Sequence, residues 1–246
     1  MKVIILAGGL GTRISEYTKL IPKPMIKIAN KPLLIHIMEL YLKFKYEDFY
    51  IALGYKSNVV TKYFKNFKKF NKKFKFKVKN KTCTITLVYT GKRTLTGGRI
   101  KRLEKFINKD ENFMFTYGDG ISNVNLKKLE LFHKKHNKLV TVTAVRPPAR
   151  FGELIINNTK VVSFKEKPQV AQGWINGGFL IAKKSFFKLI KGDSTILEKQ
   201  PLEKTASLDQ LRAFKYNGFW KCVDTKRDKD VLESVYYKNN FKWENK

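Results

Sequence analysis

The N-terminal stretch constrains the fold more than any other part of the sequence. Val3 to Ala7 is a run of five apolar residues, long enough for one buried strand of a parallel sheet. Gly8, Gly9 and Gly11 follow, and glycine lets a backbone turn sharply and lets a ligand approach closely. Because backbone N–H groups in such a loop can point at phosphate oxygens, the stretch predicts a strand that leads into a phosphate-binding turn.

Two cations lie close to this turn in the sequence. Arg13 follows the glycines, and Lys23 lies between Pro22 and Pro24, which fix φ on both sides of it and stiffen the segment. The spacing has neither the lysine-serine ending of a Walker loop nor the dinucleotide pattern G-x-G-x-x-G. A tight strand-to-helix turn without a ligand is therefore an alternative interpretation of the glycines alone.

The order of the predicted elements indicates an α/β fold. In the first half of the chain they run strand, helix, strand, helix, strand, which is the rhythm of a doubly wound parallel sheet. A hairpin around Asn157 and Asn158 follows. The predicted strands are 3–7, 49–55, 74–78, 84–89, 112–117, 140–145, 153–156, 161–164, 174–181 and 211–216. The predicted helices are 33–44, 58–70, 99–107, 126–136, 185–190, 198–206 and 228–237, with His133 and His136 expected on or near a polar side.

Two acids follow predicted strands. Asp119 lies between Gly118 and Gly120, directly after an apolar run, and Asp224 ends a strand near residues 219–223. In an open α/β sheet, ligands bind beyond the carboxyl ends of the strands, so Asp119 should face the same crevice as the glycine turn. A carboxylate beside phosphates indicates Mg²⁺, although an Asx-turn is an alternative role for Asp119.

The charge of the chain invites a different interpretation. The formal net charge is +31, and residues 62–81 carry many lysines interleaved with phenylalanines. Such a segment could bind single-stranded nucleic acid or an anionic membrane. Because lysine is spread over the whole chain, we favour a solvated lysine-rich face with phenylalanines buried beneath it. We therefore expect neither a nucleic-acid nor a membrane partner, and the charge should attract nucleotides and sugar phosphates.

Composition limits the classes of protein and the cellular compartments that fit this sequence. The chain has 246 residues and 43% hydrophobic content, enough for a sizeable core. No apolar run approaches the roughly 18 residues of a membrane span, and no signal-peptide cleavage site follows the N-terminus. Cys83 and Cys222 form no metal-spaced pair. We therefore expect a reduced, cytoplasmic setting with structural thiols.

A set of short motifs runs through the whole chain in one order. The motifs are G-G-L-G-T-R, P-K-P-M, L-T-G-G-R, Y-G-D-G, P-P-x-R-F-G, F-x-E-K-P, I-N-G-G-F, G-F-W and V-D-T. The set resembles the sugar-phosphate nucleotidyltransferases, and T-Y-G-D-G, R-F-G and I-N-G-G-F favour the branch that uses CTP. The resemblance implies Mg²⁺-dependent transfer of a cytidylyl group from CTP to a sugar 1-phosphate, with glucose 1-phosphate as acceptor.

The resemblance also implies a fold and an assembly. It predicts a Rossmann-like doubly wound mixed sheet with a small β-rich sugar-binding insertion, in a single domain over residues 1–246. The nucleotide-binding part would span about 1–145 and the sugar-side part about 146–225. A homo-oligomer that serves polysaccharide synthesis is expected on the same basis.

Particular residues receive roles from the same resemblance. The nucleotide would contact Leu6, Ala7, Gly8, Gly9, Gly11, Thr12, Arg13, Lys23, Thr96, Gly97, Arg99 and Gly118. The sugar phosphate would contact Gly152, Glu166, Lys167, Asn176 and Gly177. Asp119 and Asp224 would ligate Mg²⁺, and Arg13 and Lys23 would be the catalytic cations.

Alternatives remain open at this point. Thr96 is equally well explained on local grounds as a helix cap. The reaction could use another nucleoside triphosphate or another phosphorylated acceptor. A protein of a different class, a non-catalytic nucleotide- or RNA-binding protein, could be built on the same scaffold.

Overall fold

A computed structural model describes residues 1–65, 70–108, 111–147, 153–165 and 173–238. The strands in these ranges are β1 Val3–Ala7, β2 Lys27–Ile28, β3 Lys31–Pro32, β4 Asp48–Leu53, β5 Lys73–Val78, β6 Lys81–Tyr89, β7 Asn112–Tyr117, β8 Gly120–Ser122, β9 Val140–Val145, β10 Glu153–Asn157, β11 Lys160–Lys165, β12 Ile175–Lys183, β13 Leu211–Tyr216 and β14 Trp220–Cys222. The α-helices are α1 Ser15–Thr18, α2 Leu33–Lys43, α3 Ser57–Tyr63, α4 Thr96–Lys101, α5 Leu126–His136, α6 Gln200–Ser207 and α7 Lys226–Lys238. Short 3₁₀ segments cover Thr12–Ile14, Lys23–Met25, Glu104–Phe106 and Lys184–Leu189.

Within the described ranges, an eight-stranded sheet forms the centre of the protein. Its order is β13-β9-β12-β7-β1-β4-β6-β5. Strand β1 is parallel to β4 and β7, β4 is parallel to β6, and β9 is parallel to β13. Strand β12 is antiparallel to both of its neighbours, and β5 is antiparallel to β6. The predicted mixed α/β sheet is confirmed, and the carboxyl ends of β1 and β7 lie at the same edge of it.

Strand β1 is buried on both faces of this sheet. All five of its residues are buried. Val3 and Ile5 pack with the apolar face of α2, whereas Ile4 and Leu6 belong to a second cluster on the opposite face. A strand covered on both faces needs apolar side chains at every position, which explains why the sequence shows an uninterrupted run rather than an alternating pattern.

Three predicted helices differ in extent or type. The predicted helix 58–70 is the shorter α3, and residues 66–69 lie outside the described ranges. The predicted helix 99–107 is divided into α4 and the 3₁₀ turn Glu104–Phe106, and α4 begins three residues early. The early start follows from tertiary packing, because the backbone N–H of Gly97 donates to the carbonyl of Thr195 at 2.9 Å. The segment predicted at 185–190 is a 3₁₀ helix.

Outside residues 66–69, which are not among the described residues, the lysine-rich segment has the structure that the favoured interpretation predicted. Along the edge strand β5 the lysines 73, 75 and 77 are exposed, while Phe74 and Phe76 turn inward. Phe64 is buried and packs edge-to-face on Phe76 with ring centroids 4.8 Å apart. A charged outer face on a sheet edge also discourages pairing with another chain. No helix of the described residues is long and apolar enough to cross a membrane.

The expectation that both histidines of α5 lie on a polar side is wrong for His133. This residue is only 1% exposed, because α5 packs against β9 and β13. Nδ1 of His133 and Nε2 of His136 each lie 2.7 Å from the same hydroxyl oxygen of Thr141. Burial, reinforced by the charges of His136 and Lys183, lowers the pKa of His133 to about 4. His133 is therefore neutral in the folded protein at physiological pH.

This burial predicts a loss of stability in mild acid. The unfolded chain binds a proton at His133 near pH 6.5, whereas the folded chain does not until about pH 4. The free energy of unfolding should fall by about 3 kcal/mol as the pH drops through this window. Urea unfolding of the wild type and of His133→Leu between pH 7 and pH 4 tests this. The variant should show the flatter pH dependence, with a residual slope from His136; equal slopes would contradict the prediction.

Candidate active site

Two adjoining cavities lie at the carboxyl edge of the sheet. The first, of about 360 Å³, lies over the turn that follows β1, and the second, of about 400 Å³, lies between β7, β12 and β14. Arg13, Tyr117, Asp119 and Glu198 line both of them. The two spaces therefore meet along one wall, at the place where the strand-end rule predicted a ligand.

The ribbon formed by β8 and β14 brings the two predicted acids together. These strands are antiparallel, and Cys222 pairs with Gly120. The backbone N–H of Val223 donates to the carbonyl of Asp119 at 3.0 Å. Asp119 and Asp224 thus flank the same end of the ribbon although they are distant in sequence. An apolar cluster that includes Val223 holds the ribbon against α7.

Lys23 joins the two carboxylates. Its Nζ lies 2.6 Å from Oδ2 of Asp119 and 2.6 Å from Oδ1 of Asp224. The Lys23 side chain is 11% exposed, and it leaves a short 3₁₀ turn stiffened by the flanking prolines. Arg13 donates to the other Asp224 oxygen at 2.8 Å, but its side chain is 72% exposed at the mouth of the cavities. Of the two cations that pair with these carboxylates, Lys23 is enclosed and Arg13 is exposed to the cavities.

Opposite charges keep these groups ionised. Burial alone would lower the pKa of Lys23, but Asp119 and Asp224 raise it above its usual value. Burial alone would raise the pKa of Asp224, but Lys23 and Arg13 lower it. Burial and the neighbouring carboxylates raise the pKa of the Cys222 thiol to about 12, so this thiol stays protonated beside Asp224. The arrangement suits charge neutralisation rather than thiol nucleophilic catalysis.

The glycines of the first turn have different reasons to be glycine. Gly11 has a φ of +65°, a left-handed conformation that other residues rarely adopt. A Cβ on Gly8 would collide with the Arg99 guanidinium. A Cβ on Gly9 would meet nothing within 4 Å, since Gly9 faces the first cavity. The fold needs Gly8 and Gly11 as glycine, whereas the open space at Gly9 is available to a ligand.

Arg99 is a buried cation behind this turn. Its Nη1 donates to the Thr90 hydroxyl and to the Gly91 carbonyl, each at 2.8 Å. Burial lowers its pKa from the usual arginine value. Arg99 lines the first cavity, but its guanidinium is engaged by the loop after β6. It therefore supports the shape of the wall of the first cavity.

Most of the predicted nucleotide-binding residues line the first cavity. They are Leu6, Gly8, Gly9, Gly11, Arg13, Lys23, Thr96, Arg99 and Gly118. Ala7, Thr12 and Gly97 adjoin lining residues in the sequence but are not part of that lining. Asn176 and Gly177 line the second cavity, together with the predicted metal ligands Asp119 and Asp224. Gly152, Glu166 and Lys167 lie outside the described residues, and the roles of all these residues stay predictions.

Sequence reasoning missed a polar network between the cavities. Glu198 accepts a hydrogen bond from the Tyr117 hydroxyl at 2.6 Å and another from the Thr96 hydroxyl at 2.8 Å. Thr96 is not a helix cap, because α4 begins at Thr96 itself and Leu95 is the cap residue. Tyr117 ends β7, so the strand-end rule that found Asp119 could have found it. No local pattern distinguished Glu198, which comes from the turn before α6.

Comparisons with known proteins identify related sequences and a related solved structure. The nucleotidyl transferase family matches residues 2–221. Enzymes named glucose-1-phosphate cytidylyltransferase from Salmonella typhimurium and Salmonella typhi are each 44% identical over 253 residues, covering 99% of this chain and 98% of the relative. A solved structure of UDP-glucose pyrophosphorylase with UDP-glucose has a TM-score of 0.70 at 19% identity, covering 96% of this chain and 98% of that chain.

The chain therefore belongs to the nucleotidyl transferase family. The resemblance predicted from the motifs is confirmed, and the protein is an enzyme of the nucleotidyltransferase class. The substrates of a sugar-phosphate nucleotidyltransferase are a nucleoside triphosphate and a sugar 1-phosphate, and the nucleotidyltransferase family generally uses a divalent metal.

The contrast between Gly8 and Gly9 gives a first test of the site. Gly9→Ala should leave the melting temperature unchanged but weaken nucleotide binding about tenfold, roughly 1.4 kcal/mol, because a methyl group would enter the cavity. Gly8→Ala should lower stability by about 2 kcal/mol through the clash with Arg99. Thermal unfolding and titration calorimetry measure both effects. Gly192→Ala, also in open space, is the matched control; normal nucleotide binding by Gly9→Ala would contradict the assignment.

The position of Lys23 gives a second test. Lys23→Met leaves two carboxylates facing one another in a largely enclosed place, which should reduce the free energy of unfolding by about 3 kcal/mol. Chemical denaturation at pH 7 measures this value. Lys31→Met is the control, because its partner Glu39 keeps a second cation, Lys79, at 3.6 Å. If Lys23→Met lowers the free energy of unfolding no more than Lys31→Met does, Lys23 does not hold Asp119 and Asp224 together.

Proposed function

We propose that this protein transfers a cytidylyl group from CTP to α-D-glucose 1-phosphate, giving CDP-glucose and pyrophosphate. The observation that carries the proposal is the meeting of two cavities at Arg13 and Asp119. The choice of CTP and glucose 1-phosphate is supported by the names of the 44% identical relatives, which match this chain over nearly its whole length.

Each cavity suits one substrate. The first contains the glycine turn and Lys23, which provide backbone N–H groups and a cation for a triphosphate. The second contains Asn176 and Gly177 at the start of β12, where an amide side chain can bond sugar hydroxyls. In this proposal residues of about 1–145 bind the nucleotide and residues of about 146–225 bind the sugar phosphate.

Asp119 and Asp224 fit a divalent cation. Each carboxylate already places an oxygen 2.6 Å from one ammonium, so both face a common point. The described residues hold no group of three or more His, Cys, Asp or Glu side chains that could bind a metal. A pair of carboxylates completed by phosphate oxygens and water is the usual ligand set of Mg²⁺. We therefore propose Mg²⁺, which when bound would neutralise phosphate charge.

The remaining chemistry needs positioning and positive charge. A phosphate oxygen of glucose 1-phosphate attacks the α-phosphorus of CTP in line, and the bond to pyrophosphate breaks. Arg13 reaches both cavities, so its guanidinium can contact both the attacking phosphate and the triphosphate. Lys23 and the glycine turn stabilise the charge that develops on the triphosphate. Losing one such contact typically costs on the order of 3 kcal/mol, about a hundredfold in rate.

The cellular setting follows the same resemblance. We propose a cytoplasmic homo-oligomer whose sugar-nucleotide product serves the synthesis of surface polysaccharides.

Pyrophosphate release tests the proposed reaction. CTP with glucose 1-phosphate should give the highest kcat/KM in a panel of nucleoside triphosphates and phosphorylated acceptors, in the presence of Mg²⁺. Asp119→Asn should lower kcat/KM at least about a hundredfold, because a carboxylate at the reacting phosphates is lost. Asp209→Asn, an exposed aspartate paired with Arg212, is the matched control and should be fully active.

Two results would contradict the proposal in different ways. A clear preference for another triphosphate or acceptor would keep the enzyme class but correct the substrates. Absence of pyrophosphate with every pair, together with RNA binding that survives Asp119→Ala and weakens steeply with salt, would favour a nucleic-acid-binding protein.

A further inference from the structure

Glu198 occupies an unusual place between the two cavities. It lies in the turn that precedes α6, and its side chain lines both spaces. Among the described residues, this property is shared by Arg13, Tyr117 and Asp119. Arg13 and Asp119 have a part in the proposed reaction, but that reaction as described gives no role to Glu198.

Two donors fix the Glu198 carboxylate. The Tyr117 hydroxyl donates to Oε1 at 2.6 Å, and the Thr96 hydroxyl donates to Oε2 at 2.8 Å. The turn itself is anchored, since the backbone N–H of Leu197 donates to the Thr96 oxygen at 3.0 Å. Burial, reinforced by the Glu198 charge, raises the pKa of Tyr117, so the phenol stays a donor. The carboxylate is thus held in one orientation by α4 on one side and β7 on the other.

The fixed carboxylate has unused capacity to accept hydrogen bonds. Two carboxylate oxygens offer about four acceptor positions, and the hydroxyls of Tyr117 and Thr96 use two of them. Among the described residues, no Lys, Arg or His nitrogen forms an ion pair with Glu198, whereas Asp119 and Asp224 both pair with Lys23. An unneutralised carboxylate repels phosphate but suits a neutral donor. The substrates of a sugar nucleotidyltransferase carry such donors as hydroxyl groups.

We propose that Glu198 accepts a hydrogen bond from a hydroxyl group of a bound substrate and thereby selects substrates that carry that hydroxyl. The inference rests on the proposed function. The donor belongs to the ribose of the nucleotide or to the acceptor sugar, because Glu198 lines both cavities. A substrate without that hydroxyl displaces water from this acceptor position without replacing the hydrogen bond, and such a loss lets a site reject an analogue.

Deoxy analogues test the proposal directly. The kcat/KM of the wild type, Glu198→Ala and Glu198→Gln would be measured with CTP, 2′-deoxy-CTP and 3′-deoxy-CTP. The same enzymes would be assayed with glucose 1-phosphate and its 2-, 3-, 4- and 6-deoxy forms. For the wild type, the kcat/KM of one analogue should be at least about tenfold lower than that of its parent substrate. The kcat/KM of Glu198→Ala with the parent substrate should fall by about the same factor. Its kcat/KM with the discriminated analogue should fall little further.

The arms of the experiment separate the two sources. A ribose contact predicts that a deoxy-CTP is the discriminated analogue and that Glu198→Ala weakens CTP binding in calorimetry. A sugar contact predicts discrimination among the acceptors with unchanged CTP affinity. Glu198→Gln keeps one acceptor oxygen, so its loss should be smaller than that of the alanine variant. Glu203→Gln, an exposed glutamate on α6, is the matched control and should behave as the wild type.

Other outcomes would overturn the proposal. If Glu198→Ala lowers kcat/KM equally for all parents and analogues, Glu198 only supports the wall between the two cavities through Tyr117 and Thr96. Full activity and unchanged discrimination in both variants would mean that it has no role. If Glu198→Ala does not fold, the glutamine variant and the wild-type analogue series still test whether Glu198 contacts a substrate hydroxyl. If the wild type releases no pyrophosphate, the proposed function fails. Calorimetry with each parent and deoxy analogue then tests, independently of activity, whether Glu198 contacts a substrate hydroxyl.

Discussion

One ammonium group holds the candidate site together. Lys23 lies 2.6 Å from a carboxylate oxygen of each of two aspartates that leave different parts of the chain. Without a cation between them, Asp119 and Asp224 would repel one another at close range in a partly enclosed space. This contact therefore joins the segment that presents Lys23 to the end of β7 and to the ribbon of β8 and β14. The same cation lies where a nucleotide's phosphates would need positive charge.

Much of the fold could be predicted because local and global signals agree. The run Val3–Ala7 is apolar at every position since both faces of β1 are covered. Asp119 could be located from sequence alone because the carboxyl ends of parallel strands share an edge. The helices at 57–63 and 96–101 were predicted less well, since their ends are set by contacts with distant segments such as the turn at Thr195. His133 was misplaced for a similar reason, because a polar side chain can be buried when it finds a partner such as Thr141.

The site shows the same division. The glycine turn and the acids at strand ends lie in short continuous stretches of the sequence. Their positions in the site could therefore be predicted from the sequence. Glu198 could not be found in this way, because it enters the site through the packing of one turn against α4 and β7. Of the described residues that line both cavities, Arg13, Tyr117 and Asp119 belong to the motifs G-G-L-G-T-R and Y-G-D-G, whereas Glu198 belongs to none of the motifs.

The lysines on β5 have a consequence beyond solvation. Strand β5 is the last strand of the sheet, and Lys73, Lys75 and Lys77 are exposed along it, although Lys73 reaches back to Asp48 on β4 at 3.0 Å. Two molecules that approach through these edges would bring like charges together, which keeps the unpaired backbone groups from joining into a continuous sheet. Dissolved ions screen such repulsion over about 10 Å at 0.1 M and over only about 3 Å at 1 M. The colloidal behaviour of this protein is thus tied to ionic strength, and concentrated salt removes a barrier to edge-to-edge association.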